Sequence, residues 1–272
     1  MLHAVIVGID RYRDPFIPGL SCATRDARAL ATLIEDRIAV RERRVRLLLD
    51  EEATRRNIMV AIDEELHREV EDEDIVLLYF AGHGSPERRG AKDRQSRYLI
   101  PHDAEYGRIH ATGIDMEGDV AGWLRRLSDA RLVVLFLDAC FSGAAGGRSF
   151  LGPVLKGTPH LSLYLDDPSP ISIKKLDLGR GRVVLCAADE DQLAREDPAV
   201  GHGVFTHHLL QSLTRHRGEA STVSVADLYN EVERGVRLAT TDAQEPVISI
   251  FAGKHASLPC LSASRASKDE GA

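Results

Sequence analysis

The sequence lacks any stretch of roughly 18 or more apolar residues, which excludes a membrane-spanning helix of ordinary length. Its four cysteines, Cys22, Cys140, Cys186 and Cys260, are widely scattered. They form none of the CxxC pairs of a zinc site and fall short of the density of a small disulfide-stapled fold. No basic stripe or tail accompanies the net charge of −7. Nucleic acid is therefore a poor partner, because its phosphates are held by clustered Lys and Arg. The first strand lacks GxGxxG and the chain lacks GxxxxGK[ST], so a flavodoxin-like or Rossmann nucleotide binder, which the sheet alone would permit, has no phosphate cradle. There is no internal repeat. Residues Met1 to Asp10 read as a buried strand entering a polar turn, without the basic start and cleavage site of a signal peptide. A cytoplasmic protein with no membrane partner is expected.

What is present is an ordinary globular composition, 43% hydrophobic over 272 residues, enough for one large domain or two halves. Short runs rich in Val, Ile and Leu recur at His3–Ile9, Val45–Leu49, Ile75–Phe80, Leu132–Leu137, Val183–Cys186 and Val247–Phe251. Each is bounded by polar or turn residues, the pattern of strands buried on both faces. Helical periods lie between them: Ala27, Leu30, Ile34 and Ile38 share one face, as do Ile58, Ile62, Leu66 and Val70 after Thr54 as N-cap. Phe205–Leu213 reads as a further helix, and Ser224 to Asp227 resembles a capping box ahead of Leu228, Val232 and Val236. The expected fold class is α/β, with a mostly parallel sheet covered by helices.

From about Ala144 to Arg182 the alternation stops, and Gly, Pro, Ser and charged residues dominate. This reads as a long exposed connection with basic cleavage points at Arg148, Lys156, Lys174, Lys175, Arg180 and Arg182. From Leu261 the apolar content is too low to pack, and a disordered tail is expected.

Two strands end in residues that carry chemistry. Ile75–Phe80 runs into Ala81-Gly82-His83-Gly84, and Leu132–Leu137 into Asp138-Ala139-Cys140-Phe141-Ser142-Gly143. Active crevices of open parallel sheets lie along the carboxyl edge, so neighbouring strands would bring imidazole and thiol together there. A strand-to-loop transition also exposes a side chain on a rigid support. A thiolate is the attacking form of cysteine, a nearby histidine raises its fraction, and the same histidine can protonate a leaving amine. His83 and Cys140 are thus a candidate dyad, with the Gly84 and Cys140 amides as oxyanion donors worth about 10²–10³ in rate each. Cys22, Cys186 and Cys260 read as small core residues, and His207-His208 lacks the further ligands of a metal site. Which group orients His83 stays open.

The order His-Gly then Asp-x-Cys-x-Ser-Gly, with histidine and cysteine 57 positions apart, resembles the caspase superfamily, whose histidine lies about 50 residues upstream of its cysteine. It is more similar to metacaspases, orthocaspases and other prokaryotic caspase homologues than to animal caspases, whose signature is Gln-Ala-Cys-x-Gly. Leu20 to Ala27 looks like the start of that family's first helix, with Cys22 where glycine is usual. Gly203-Val204-Phe205-Thr206 and Gln244-Glu245-Pro246 look like parts of its small-subunit region. The resemblance implies a three-layer sandwich around a six-stranded, mainly parallel sheet. It further implies a large-subunit-like half over 1–147, a processing linker over 148–181, a small-subunit-like half over 182–260 and a tail over 261–272.

Metacaspases that cleave after Arg or Lys line their primary pocket with acids at positions matching Asp26 and Asp138, which makes these candidate substrate-binding residues. From the residues alone, Asp138 could equally be a turn or capping acid, and Asp26 an acid favourable near a helix start. Metacaspases often respond to calcium. The acidic stretch Glu69–Asp74 has no calcium-loop spacing and looks like a solvated helix end, so neither metal nor cofactor is expected. The expected partners are protein or peptide substrates and, since no recruitment domain is visible, an upstream protease or regulator. The alternative from another class is a catalytically silent caspase-like scaffold, against which the presence of both dyad residues weighs.

Overall fold

The computed structural model describes residues 1–38, 40, 42–88, 95–141, 181–189, 192–215, 222–250 and 257–259. In chain order the strands are β1 (Leu2–Gly8), β2 (Arg43–Leu49), β3 (Ile75–Ala81), β4 (Gly84–Arg88), β5 (Gln95–Leu99), β6 (Ile114–Asp115) and β7 (Leu132–Asp138). They continue with β8 (Arg182–Cys186), β9 (Glu196–Asp197), β10 (His202–Gly203), β11 (Thr222–Ser224), β12 (Val247–Ile250) and β13 (Ser257–Pro259). The α-helices are α1 (Ala23–Arg37), α2 (Arg55–Met59), α3 (His67–Glu69), α4 (Ile109–Thr112), α5 (Ala121–Arg126), α6 (Val204–Arg215) and α7 (Val225–Thr240). A π-helical turn, Val60–Leu66, joins α2 to α3.

Six strands form the central sheet in the order β12-β8-β7-β3-β1-β2. All pairs are parallel except β12 with β8, so the sheet is α/β and mainly parallel, as the six apolar runs foretell. Every residue of β1, β3 and β7 is buried because helices cover both faces. Alternation along β1 shows the two sides: Ala4 and Ile6 pack with Leu30 and Ile34 of α1 and with Leu209 and Leu228 of α6 and α7. Val5 and Val7 pack instead with Ile58, Ile62 and Trp123. Complete burial of a Leu or Ile contributes about 1.5–3 kcal/mol, so these two apolar layers supply the main driving force for the sandwich.

The helix starts follow their sequence signals. The Thr54 hydroxyl accepts the Asn57 N–H at 3.2 Å, and that of Ser224 accepts the Asp227 N–H at 3.0 Å. Helix α1 has no such cap of its own, and its first amides bond to carboxylates from elsewhere. The small antiparallel sheet β4-β5-β6 has no sequence signal, since Gly84-Ser85-Pro86-Glu87-Arg88 lacks apolar alternation.

Arg182 overturns its expected place in an exposed connection. It is the first residue of β8 and only 2% exposed, its guanidinium donating to the Leu124, Leu127 and Ala130 carbonyls. These carbonyls close the end of α5 and the turn beyond it, where backbone acceptors lack helical partners and a guanidinium can satisfy several at once. The remainder of the proposed linker up to residue 180, the other basic cleavage points, Cys260 and the tail lie outside the described residues.

Candidate active site

Strands β3 and β7 are adjacent and parallel, and their last register partners are Ala81 and Asp138. His83 and Cys140 each follow that pair by two residues, so the sheet places imidazole and thiol at the same height on one edge. The Gly82 N–H donates to the Asp138 carbonyl at 3.3 Å, carrying the pairing past the strands. Gly84 then passes so close to the second loop that a Cβ would stand 2.3 Å from the Cys140 carbonyl oxygen. Only glycine fits there. The His83 carbonyl accepts the Ile100 N–H at 3.0 Å. In an antiparallel ladder this makes Gly84 and Leu99 a non-hydrogen-bonded pair, with the Gly84 N–H directed away from β5.

The strand order places β1 between β2 and β3, so chain connections leave in opposite directions on the two sides of the β1–β3 boundary. Such a switch point opens a crevice at the carboxyl edge. The loop after β1 bends over it and meets His83. The Tyr12 hydroxyl accepts the His83 backbone N–H at 2.8 Å, and the two rings lie 5.2 Å apart at 32°. The Pro18 carbonyl lies 2.8 Å from His83 Nε2. A carbonyl can only accept, so this contact fixes the proton on Nε2 and leaves Nδ1 as the basic nitrogen of the neutral ring. Pro18 is thus the orienting group that the sequence left open. No motif marks it, because a backbone carbonyl can come from any residue.

Cys140 and His83 are each 1% exposed, and Cys140 belongs to the core cluster beneath α1 and α6. The sequence reading places both in an open crevice, and the described state instead encloses them. Cys22 and Cys186 are buried at 2% and 7% exposure, as expected of small core residues.

Asp26 and Asp138 are both fully buried, and both reach the start of α6. Asp138 Oδ2 accepts the Thr206 hydroxyl at 2.5 Å, and Thr206 Oγ1 lies 2.6 Å from the Tyr79 hydroxyl. The Asp26 carboxylate accepts the Gly203 N–H at 3.0 Å and contacts His202 Nδ1 at 2.7 Å. The positive end of the α6 dipole therefore faces two carboxylates, the arrangement that stabilises buried negative charge. Asp26 does more than favour its own helix: it ties α1 to the β9–β10 hairpin. Glu196 adds to that tie by accepting the Ser21 and Cys22 N–H groups at 3.0 and 2.9 Å, and Arg25 donates to the Gly201 carbonyl at 3.0 Å.

The motif segments of the second half act as connectors. Gly203 and Thr206 are the partners of the two acids, while fully buried Gln244 donates to the Ala187 carbonyl and accepts the Arg195 N–H. His202 and His207 lie 6.4 Å apart. Burial pushes the His207 imidazole below its ordinary value, assisted by the neighbouring His202. Among the described residues no group of three or more His, Cys, Asp or Glu is arranged to hold a metal ion, and no helix is long and apolar enough to cross a membrane.

The fold recurs in solved structures. The protein GSU0716 from Geobacter sulfurreducens superposes with a TM-score of 0.66 at 18% identity, covering 93% of this chain and 94% of its own. Caspase-1 from Spodoptera frugiperda superposes with a TM-score of 0.57 at 13% identity, covering 96% and 90%. No protein with a curated description matches the sequence significantly. The caspase-domain family model matches residues 1–269. With the six-stranded sheet and the strand-end His83 and Cys140 in place, this match means that the chain belongs to the caspase-domain family of cysteine peptidases.

Proposed function

We propose that the protein is a cysteine endopeptidase in which Cys140 is the nucleophile and His83 the proton carrier. The observation that carries this reading is the matched placement of the two residues, each two positions beyond a register pair of adjacent parallel strands. In the proposed reaction His83 Nδ1 takes the thiol proton, and Cys140 Sγ bonds to the scissile carbonyl carbon. The carbonyl oxygen becomes an oxyanion facing the Gly84 and Cys140 amides. The C–N bond then breaks as His83 returns the proton to the leaving amine. Water, losing a proton to His83, attacks the thioester and frees the acid and the thiol.

For the residue before the cleaved bond we propose Arg or Lys, held by Asp26 and Asp138. Two buried carboxylates at one helix end support a cationic guest, which would make charge-assisted hydrogen bonds to them.

The 1% exposure of both dyad side chains supports a resting form that must rearrange before a peptide can enter. We place its switch in the connection over 148–181, where a cut by this enzyme or an upstream protease would free chain ends to reorder. Intact-mass analysis after activation should find the break in that interval, and a fully active uncut chain would remove the switch.

The same burial also favours the alternative of a silent scaffold. A labelled, peptide-directed thiol-alkylating reagent distinguishes the two. Modification of wild-type Cys140, lost in His83→Ala and blocked by substrate peptide, is the result expected of a peptidase; an unreactive Cys140 after linker cleavage would leave the scaffold.

A further inference from the structure

Two of the groups that hold His83 come from one loop, the chain between β1 and α1. The Tyr12 hydroxyl accepts the His83 backbone N–H at 2.8 Å, and the Pro18 carbonyl lies 2.8 Å from Nε2. An imidazole that must pass a proton between a thiol and a leaving amine needs supports that do not drift. What keeps this loop in place is therefore part of the site.

The first grip comes from the turn after β2. Gly8 and Leu49 are the last register partners of β1 and β2, so Asp50 starts its turn beside the residues that leave β1. Its Oδ1 accepts the backbone N–H groups of both Asp10 and Arg11 at 2.9 Å, and Oδ2 accepts the Arg11 Nε–H at 3.0 Å. The Arg11 side chain is 68% exposed, so the ion pair adds little and the two amide bonds carry the anchor. Asp50 itself is 8% exposed, and its φ of +43° is a left-handed conformation that side chains rarely adopt. Backbone strain of this kind persists only where the surroundings enforce it, and it collects at functional sites. Here the strained residue is the one whose carboxylate holds the loop.

The second grip is His102. Its backbone N–H donates to the Ala53 carbonyl, at the end of the same turn, at 3.0 Å. Its Nδ1 lies 2.7 Å from the Arg11 carbonyl, which can only accept, and its own carbonyl accepts the Arg13 N–H at 2.9 Å. Tyr12 thus stands between two residues whose backbones are fixed. The Leu20 N–H closes the loop on the Asp10 carbonyl at 2.9 Å, so Pro18 rides on the same anchored neck.

We infer that Asp50 and His102 are positioning residues for the His83 imidazole, acting through the backbone on either side of Tyr12 and through the neck that carries Pro18. The inference rests on the proposed role of His83 as proton carrier. Asp50→Gly separates support from strain, because glycine takes a positive φ freely while the carboxylate contacts are lost. Asp50→Asn retains an acceptor for both amides and tolerates the left-handed conformation.

Nitrogen–proton NMR of the full chain carrying Cys140→Ala reads the support without any turnover. The His83 Nε2 proton, held by Pro18, should give a sharp ring signal, assigned by its absence in His83→Gln. Asp50→Gly should broaden it by exchange with water, and Asp50→Asn should keep it. His3, buried at the opposite end of β1 with Nε2 3.1 Å from the Asp74 carboxylate, should keep its ring signal throughout, which a general loosening of the fold would not allow. With Cys140 present, kcat on a peptide that wild type hydrolyses should fall at least about tenfold in Asp50→Gly with KM little changed, and stay within about twofold in Asp50→Asn. His102→Leu, which deletes the side-chain bond to the Arg11 carbonyl, should move ring signal and kcat in the same direction, and it carries the test if Asp50→Gly does not fold. An unchanged His83 ring signal or an unchanged kcat in the folded variant, or loss of the His3 signal along with that of His83, would overturn the positioning role while leaving the dyad in place. Absence of hydrolysis by wild type, before and after linker cleavage, would overturn the peptidase reading and the catalytic meaning of these supports with it.

Discussion

Gly84 and Cys140 meet without room for one more carbon: a Cβ on Gly84 would lie 2.3 Å from the Cys140 carbonyl oxygen and 2.9 Å from the Phe141 ring. The nearer obstacle, the Cys140 carbonyl, is backbone and cannot swing aside as a side-chain tip can. Gly84→Ala should therefore push the two loops apart, moving one proposed oxyanion donor and the base away from the thiol. Turnover should fall by at least about 100-fold, the value of one oxyanion donor. The core strands are untouched, so the far-ultraviolet circular dichroism should stay that of wild type. Near-normal kcat in this variant would remove the Gly84 amide from the site.

Cys140→Ala and His83→Ala should each abolish hydrolysis of any accepted fluorogenic peptide, whereas Cys186→Ala should remain active. Cys186 ends β8 at 7% exposure and packs on the opposite face of the sheet from Cys140. Loss of its sulfur leaves a small cavity, with a stability cost of about 1 kcal/mol that a thermal melt would register. Substantial turnover by Cys140→Ala would dismiss the nucleophile assignment.

The sequence was most legible where chemistry and periodicity coincide. Six Val-, Ile- and Leu-rich runs mark the six strands: β1, β3, β7 and β8 are buried on both faces, while the edge strand β2 keeps Arg44 and Arg46 exposed and is marked by Val45 and Leu47–Leu49. His83 and Cys140 are visible because each directly follows such a run. Tyr12 and Pro18 are not, since they act through a hydroxyl and a carbonyl across a loop whose path depends on tertiary structure. Arg182 was misplaced for a related reason: its charge suggests solvent, yet the carbonyls around the end of α5 can satisfy it inside the protein. The partners of Asp26, His202 and Gly203, lie more than 170 positions away, beyond what local pattern can connect.

Tyr12 acts on His83 from two directions, as acceptor for its backbone N–H and as a ring beside the imidazole. Tyr12→Phe retains the ring and deletes the acceptor, leaving a part-buried donor without it at a cost of about 1–3 kcal/mol. The expected result is a kcat reduced by about five- to tenfold, with KM little changed, because substrate contacts are not removed. A purely structural role would instead lower the melting temperature with kcat intact.

His207 and His208 of α6 should make stability depend on pH. Burial holds both imidazoles below the ordinary value of 6.5, with the neighbouring histidine acting in the same direction on each. The unfolded chain therefore binds more protons than the native one just below pH 6.5, and stability declines as pH falls through that value towards the depressed ones. Above pH 6.5 the contribution is fully present. The melting temperature should drop between pH 7.5 and 5.5, and the double variant His207→Gln with His208→Gln should flatten the slope. An equal slope in wild type and variant would assign the effect to other groups.

The acids at the start of α6 set the last expectation, a preference for Arg or Lys over Asp before the cleaved bond. Asp26 and Asp138 are fully buried and bonded to Gly203 and Thr206, three residues apart on one helix end. An incoming aspartate would meet like charge in a poorly solvated place, a penalty of several kcal/mol, whereas a guanidinium finds acceptors with matching geometry. Arginine should exceed lysine, because its planar fork can bond both carboxylates while an ammonium is a point charge. His202 already occupies one oxygen of Asp26, so the guanidinium must share or displace that contact. Fluorogenic peptides differing only at this residue should give turnover in the order Arg, Lys, Asp. Asp26→Asn combined with Asp138→Asn keeps shape and hydrogen bonding while removing both charges, and should erase most of the Arg advantage. Efficient cleavage after Asp, or an unchanged Arg preference in the double variant, would exclude these two carboxylates from the pocket.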